Sequence, residues 1–258
     1  MALTDNIVAC YSPLVRGSGS ALPDLTGRGN HNTLTNFEQT TAWEPAAIRG
    51  VSSRTNRHDG VNDYVTGNPR AIIGLGDMSW CAWVLVRSGY GVLAHSNWAP
   101  GMLWYVGNTS IGAGVKTQAV YFATAATGAL GTITMDYNVW THVGWCRRGT
   151  SLDMYVNGRL DVTRTSNTGP TFANTLDWGG YAGSSEWLQG SIGERAVFNR
   201  ALTAAEFYEI FRRGDGAIGR ELTGQAWRRS YAYKSAAAAA VKSYLFVNRG
   251  RVIGGGTL

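Results

Sequence analysis

Cysteine is scarce in this chain: three residues in 258, Cys10, Cys81 and Cys146. The number is odd and the spacing matches no zinc motif, so neither a disulfide framework nor a zinc site is expected. Each lies within an apolar strand-like pattern, which predicts a buried free thiol. Long apolar runs are also missing, which excludes a membrane-spanning helix. No basic region followed by an apolar stretch opens the chain, and Asp5 stands near its start. A protein acting in, or assembled from, the cytoplasm is therefore expected, or one whose leader has been removed. The four histidines, His31, His58, His95 and His142, form no metal-ligand spacing. His142, inside WTHV, reads as a core histidine. No repeat of fixed period is present.

What remains is rich in glycine and aromatics, with 34 Gly, 10 Trp and 12 Tyr. The length suits one large all-β domain, or a domain with an appendage. Some of the aromatic rings must fill its core and others sit on a surface. The net charge of +6 is unevenly placed. Residues 1–219 hold 16 Lys and Arg against 16 Asp and Glu, whereas residues 220–258 hold seven basic residues against Glu221 alone. The expected organisation is a neutral body, 1–219, and a basic arm, 220–258. Such an arm meets nucleic acid, an acidic protein surface or an anionic membrane, or stays solvated.

Residues 139–161, VWTHVGWCRRGTSLDMYVNGRLD, carry the strongest local signal. Trp140, His142, Gly144 and Cys146 alternate with Thr141, Val143, Trp145 and Arg147. Leu152, Met154 and Val156 then share one face, with Asp153, Tyr155 and Asn157 on the other. A period of two marks half-buried strands. Asn157-Gly158 supplies two residues tolerant of positive φ, as a type I′ hairpin demands. The other strands are expected to pack around this unit.

Further extended segments are read at 7–15, 34–37, 58–65, 78–87, 91–95, 102–106, 172–179 and 187–198, with weaker ones at 115–123 and 131–136. Residues 42–51 read as irregular because Pro45 argues against a central strand. At Thr203-Ala204-Ala205-Glu206 the period changes. Those four residues form a capping box, Phe207, Ile210 and Phe211 make an apolar face, and Gly214 supplies a left-handed stop. One helix over residues 204–213 is predicted. In the arm, the run of alanines at 236–240 favours helix but is short to stand alone.

The motifs DLTGRGNHNTL (24–34), HDGVNDYV (58–65), MSWCAWV (78–84), WTHV (140–143), LDMYVNG (152–158) and GSIGERAVFNRALTAAE (190–206) occur in this order. In that order the chain resembles the laminin G-like, or concanavalin A-like, jelly-roll domains over about residues 5–213. The resemblance implies an all-β sandwich of two antiparallel sheets with a short C-terminal helix. It also implies a structural Ca2+ near the Gly-rich loop, for which Asp24, Asn30 and Glu194 are the candidate ligands. Gly193 stands where relatives carry an Asp, which weakens the ligand set. The alternative is that Asp24 and Asn30 only hold the loop through side-chain-to-backbone bonds.

Glycosidases of this fold need two carboxylates at a fixed separation. No E-x-D pattern occurs, and Asp59 and Asp63 read as turn caps, so no catalysis is expected. Trp98, Trp104, Tyr105, Tyr181 and Trp187 lie near predicted turns and are the candidate glycan-binding residues; the alternative for each is rim packing. Arg228, Arg229, Tyr231, Tyr233, Lys242, Arg249 and Arg251 are the candidate partner-binding residues of the arm, mixing charge and aromatics as interfaces do. Nucleic acid is not expected as a partner of the neutral body. Two functions are expected. The first is a non-catalytic display or adhesion module held by its arm on a larger assembly (a capsid, tail or surface layer), such as a phage virion decoration or fibre-like protein. It would be oligomeric in that assembly. The second is a carbohydrate-binding lectin module of a secreted or cell-surface bacterial protein.

Overall fold

A computed structural model describes residues 2–12, 20–38, 42–67, 76–96, 101–107, 118–122, 129–165, 175–183 and 185–224. Its strands, in chain order, are β1 (Ile7–Tyr11), β2 (Ala21–Leu22), β3 (Asn32–Thr35), β4 (Trp43–Ile48), β5 (Val51–Asp59), β6 (Tyr64–Gly67), β7 (Met78–Val86) and β8 (Tyr90–Ser96). There follow β9 (Met102–Gly107), β10 (Gln118–Phe122), β11 (Ala129–Leu130), β12 (Thr141–Arg148), β13 (Ser151–Val156), β14 (Arg159–Thr165), β15 (Leu176–Trp178) and β16 (Gln189–Phe198). Two helices close the body, α1 (Ala204–Arg213) and α2 (Ala217–Leu222). One sheet runs β14-β13-β12-β7-β16-β5-β4, with β1 also on β16; the other runs β11-β10-β9-β8-β15-β6-β3-β2. Among the described residues every strand pairing in both sheets is antiparallel, for example β7 on β16 and β8 on β9. This is the two-layer β-sandwich expected from the sequence.

Between the layers lies a core built on tryptophan. Trp80 stacks on Trp145 with ring centroids 5.7 Å apart, Trp178 lies 5.6 Å from Trp80, and Trp104 meets Trp145 edge-on at 6.4 Å. All four are fully buried. Pairs at such offsets contribute about 0.5–1.5 kcal/mol beyond the area they bury.

The hairpin of residues 139–161 forms as read. Asn157 has φ 50° and Gly158 φ 74°. Leu152 and Met154 face the inter-sheet core, while Tyr155 faces the opposite side. Its place differs from expectation, however. The hairpin ends its sheet at β14, and the centre is β7 paired with both β12 and β16. Nor are β12 and β13 half-buried. Cys146 and Tyr155 lie beneath Phe207 of α1, so β12 and β13 are covered on both faces.

Residues 42–51 are not irregular. Pro45 sits in β4, paired with Arg54 of β5, at the sheet edge where its missing N–H leaves no bond unmade. β5 itself (VSSRTNRHD) is long and polar, with little apolar alternation to announce it. Residues 131–136 form no strand; the short β11 ends just before them, at Leu130.

Helix α1 matches its sequence signals. The Thr203 side chain accepts from the Glu206 amide, the Glu206 carboxylate reaches back to the Thr203 N–H, and Gly214 stops the helix at φ 75°. Phe207 and Ile210 are buried against a layer that includes Cys10, Cys81 and Cys146, all three free and buried. Burial pushes the thiols of Cys10 and Cys81 well up. α2 was not anticipated, and it crosses the expected boundary after Gly219. Arg220 donates to the carbonyls of Asp215 (2.8 Å) and Arg213 (2.9 Å), and Glu221 pairs with Arg213 at 2.9 Å. Arg220 and Glu221 thus belong to the body.

Candidate ligand-binding face

Helices α1 and α2 cover the outer side of the first sheet. On the second sheet, the strand register decides which side chains point away from the core. In β9, Met102, Trp104 and Val106 face inward, leaving Leu103 and Tyr105 outward. Val92 stands opposite Tyr105 and His95 opposite Leu103, with a register shift between Val92 and Ala94 that keeps both outward. Asp177 of β15 lies opposite His95 on one side and Thr66 of β6 on the other.

These outward residues form a buried floor. His95 and Asp177 are each 6 % exposed, and Tyr105 is 7 % exposed. His95 Nδ1 is 3.5 Å from Asp177 Oδ2, a long contact across 82 residues of sequence. The other ring nitrogen, Nε2, and the other carboxylate oxygen, Oδ1, are buried with no partner among the described residues. Over His95 lies the ring of Tyr181, stacked at 3.9 Å and 17°. Tyr181 is half-buried and belongs to a Gly-rich loop in which Gly179, Gly180 and Gly183 all have positive φ. Gly180 has no room for a side chain, since a Cβ there would lie 2.1 Å from the ring of Trp187.

Glu186, on the same loop, forms the rim. One of its oxygens accepts from Tyr90 Oη at 3.1 Å and the other accepts from Tyr105 Oη. Burial and the neighbouring carboxylate push both phenols up, so the tyrosines stay neutral donors. The result is a set of three tyrosines and one further carboxylate, Glu186, around a buried His–Asp pair. Buried polar atoms ordinarily find partners; here two polar atoms, His95 Nε2 and Asp177 Oδ1, lie beneath an aromatic rim without a partner among the described residues.

The expected glycan residues divide. Tyr105 and Tyr181 come together on this face. Trp187 is half-buried beside it and packs on Tyr64 at 5.9 Å. Trp104 is a correction. It is wholly buried in the inter-sheet core, because its place in β9 alternates inward, and it is closed to any ligand. Trp98 lies outside the described residues, as do Arg228, Arg229, Tyr231, Tyr233, Lys242, Arg249 and Arg251 of the arm. His95, Asp177, Tyr90 and Glu186 were not anticipated. The outward alternation of β8 and of Leu-Asp-Trp in β15 was their signal.

The expected calcium ligands do not fit the ion as arranged. Asp24 Oδ1 accepts from the amides of Cys10 (3.0 Å) and Thr26 (3.1 Å). Its Oδ2 accepts from Thr26 Oγ1 (2.6 Å) and the Asn30 amide (3.2 Å). Asn30 Nδ2 donates to the carbonyl of Val8 at 2.8 Å. Glu194 accepts from the Gly219 and Ile218 amides at 2.7 and 2.9 Å. A hard cation needs oxygens that face it bare, and these oxygens face N–H and O–H donors. The three residues close the Gly-rich loop and clamp α2. Among the described residues no three His, Cys, Asp or Glu side chains group to hold a metal.

Residues 59–207 match the family model described as Concanavalin A-like lectin/glucanases superfamily (Laminin_G_3). The chain belongs to this superfamily. Solved concanavalin A-like folds resemble it at low identity, which shows the fold alone. Domain 4 of AbnA, a GH43 extracellular arabinanase from Geobacillus stearothermophilus, in complex with arabinotriose, is 16 % identical with a TM-score of 0.59, over 79 % of this chain and 97 % of that one. The binding domain of Paraclostridial Mosquitocidal Protein 1 is 14 % identical with a TM-score of 0.62, over 81 % of this chain and 52 % of that one. Trypanosoma rangeli sialidase, in complex with sialic acid, is 14 % identical with a TM-score of 0.57, over 80 % of this chain and 32 % of that one. No curated protein matches the sequence. Among the described residues no helix is long and apolar enough to cross a membrane.

Proposed function

We propose that this concanavalin A-like domain is a non-catalytic carbohydrate-binding module whose ligand rests on the outer side of the second sheet. The observation that carries the reading is the buried His95–Asp177 pair, with Nε2 and Oδ1 lacking partners among the described residues, beneath the ring of Tyr181. Sugars present apolar C–H faces beside hydroxyls, and a tyrosine rim over a polar floor matches both. The solved relative in complex with arabinotriose supports the same reading. Calorimetric titration with a panel of oligosaccharides tests it. Binding should disappear in Tyr181→Ala while the fold persists. Failure of every glycan to bind, or undiminished binding by Tyr181→Ala, would refute it.

A second reading is favoured by the charge split of the sequence, six basic residues and no acid in 223–258. It makes the body a display module held by its arm on a larger assembly, such as a phage virion decoration or fibre-like protein. Changing Arg228, Arg229, Lys242, Arg249 and Arg251 to Ser should abolish incorporation into the particle; unchanged incorporation counts against the arm.

A further inference from the structure

The Tyr181 hydroxyl has no hydrogen bond among the described residues. Besides the stack on His95, what places this ring is the backbone that carries it. Both ends of its loop are tied down. The Gly179 N–H donates to the carbonyl of Leu93 in β8 at 3.0 Å, and the Leu188 N–H donates to the carbonyl of Gly179 at 3.0 Å. The Glu186 carbonyl accepts from the Val92 N–H at 2.9 Å. Leu188 also lies close on Gly91 of β8, where a Cβ would come within 2.6 Å of the Leu188 Cα. Between these ties Gly180, itself buried, rests on the six-membered ring of Trp187, and Trp187 packs on Tyr64 of β6.

We infer that Trp187 is a positioning residue. Its contact with Gly180 sets the loop backbone so that the Tyr181 ring lies over His95 before a glycan arrives. The inference rests on the glycan-binding reading and deepens it. A side chain that must be ordered on binding weakens affinity, and a ring already in place avoids that loss. Trp187 was expected to touch the glycan; half-buried, with Gly180 and Tyr64 against its ring, it acts through Tyr181 instead.

The test reads the His95 ring directly by NMR. Tyr181, stacked at 3.9 Å, shields the His95 ring protons, and four histidines in all share that part of the spectrum. In the free protein, Trp187→Ala and Gly180→Ala should each move the His95 signals towards their positions in Tyr181→Ala. Each should also weaken binding of the tightest of three probes, arabinotriose, maltotriose and triacetylchitotriose, by about tenfold. The double variant should lose little more than either single one, because both changes break the same contact. Should Gly180→Ala fail to fold, Trp187→Ala carries the test. His95 signals that stay put in Trp187→Ala overturn the inference; if binding falls there all the same, Trp187 is itself a contact residue. Signals that move while binding is undiminished overturn it too. If the unaltered protein binds none of the three probes, the glycan reading falls, and the His95 signals still decide whether Trp187 holds Tyr181 in place.

Discussion

The carboxylate of Asp215 occupies the space that a side chain on Gly193 would need. A Cβ built on Gly193 would lie 2.6 Å from Asp215 Oδ1 and 3.1 Å from Trp83 Cβ. The same oxygen accepts from the Glu194 amide at 2.6 Å. An acid absent from the strand is thus supplied by the turn between the helices. The register shift between Ile192 and Arg195 lets Glu194 reach α2 while Arg195 turns into the core, its guanidinium 5.4 Å from the Trp178 ring. Gly193→Ala should therefore push Asp215 off the Glu194 amide and cost roughly 1–3 kcal/mol. Adding Asp215→Ala should cost less than the sum of the two single changes, because the clash is already gone. Additive urea-unfolding energies would contradict the contact.

Glu194 and Asp215 also set a pH dependence. Burial, then the charge of Asp215, pushes Glu194 up to about 7, and burial pushes Asp215 up to about 6. Raised acids contribute stability that is full below their ordinary pKa and is lost as pH rises through the folded value. Asp215→Asn keeps an acceptor for the Glu194 amide and removes the like charge. It should gain roughly 1–2 kcal/mol over the parent at pH 8 and nothing at pH 4. Melting curves at the two pH values decide; an equal shift at both would remove the linkage.

His142 acts in the opposite sense. It is fully buried, both ring nitrogens lack partners among the described residues, and Trp83 lies 5.2 Å from its ring. Burial lowers its pKa to about 3. Its contribution to stability is present above its ordinary pKa and is lost as pH falls towards 3, by up to about 1.4 kcal/mol per unit. His142→Phe should lose less stability than the parent between pH 7 and pH 4.5. Parallel losses in urea titrations would rule this out.

Trp104 and Tyr181 should separate stability from binding. Trp104→Ala opens the inter-sheet core and should cost about 3–5 kcal/mol. Tyr181→Ala removes a half-buried rim ring and should cost under about 2 kcal/mol while abolishing ligand binding. A large loss of melting temperature in Tyr181→Ala would make it a core residue.

Calcium should change nothing. Because the oxygens of Asp24 and Glu194 accept from N–H and O–H donors, millimolar calcium or a chelator should leave the melting temperature within about 1 °C. A rise of several degrees with calcium would show that these carboxylates reorient to bind it.

Much of the fold could be read locally. The capping box at Thr203 and Glu206, the Asn157-Gly158 turn and the alternation at Leu152 to Val156 each need only neighbours in sequence. β5 escaped because its side chains are polar and its partners, β4 and β16, lie elsewhere in the chain. Trp104 and Tyr105 stand side by side and looked equally suited to a surface; only the layer above β9 made one core and the other floor.

The sequence alone determined an all-β body, the α1 helix and its stops, and the buried thiols, since strand period and caps are short-range properties of the chain; the two-layered arrangement was what the resemblance to jelly-roll domains implied. The tertiary structure decided which sheet stays free of helices, and that His95 meets Asp177 and Asp215 fills the place beside Gly193. Those meetings join residues far apart in sequence, and only the packing of one strand against another brings their charges and empty valences within reach.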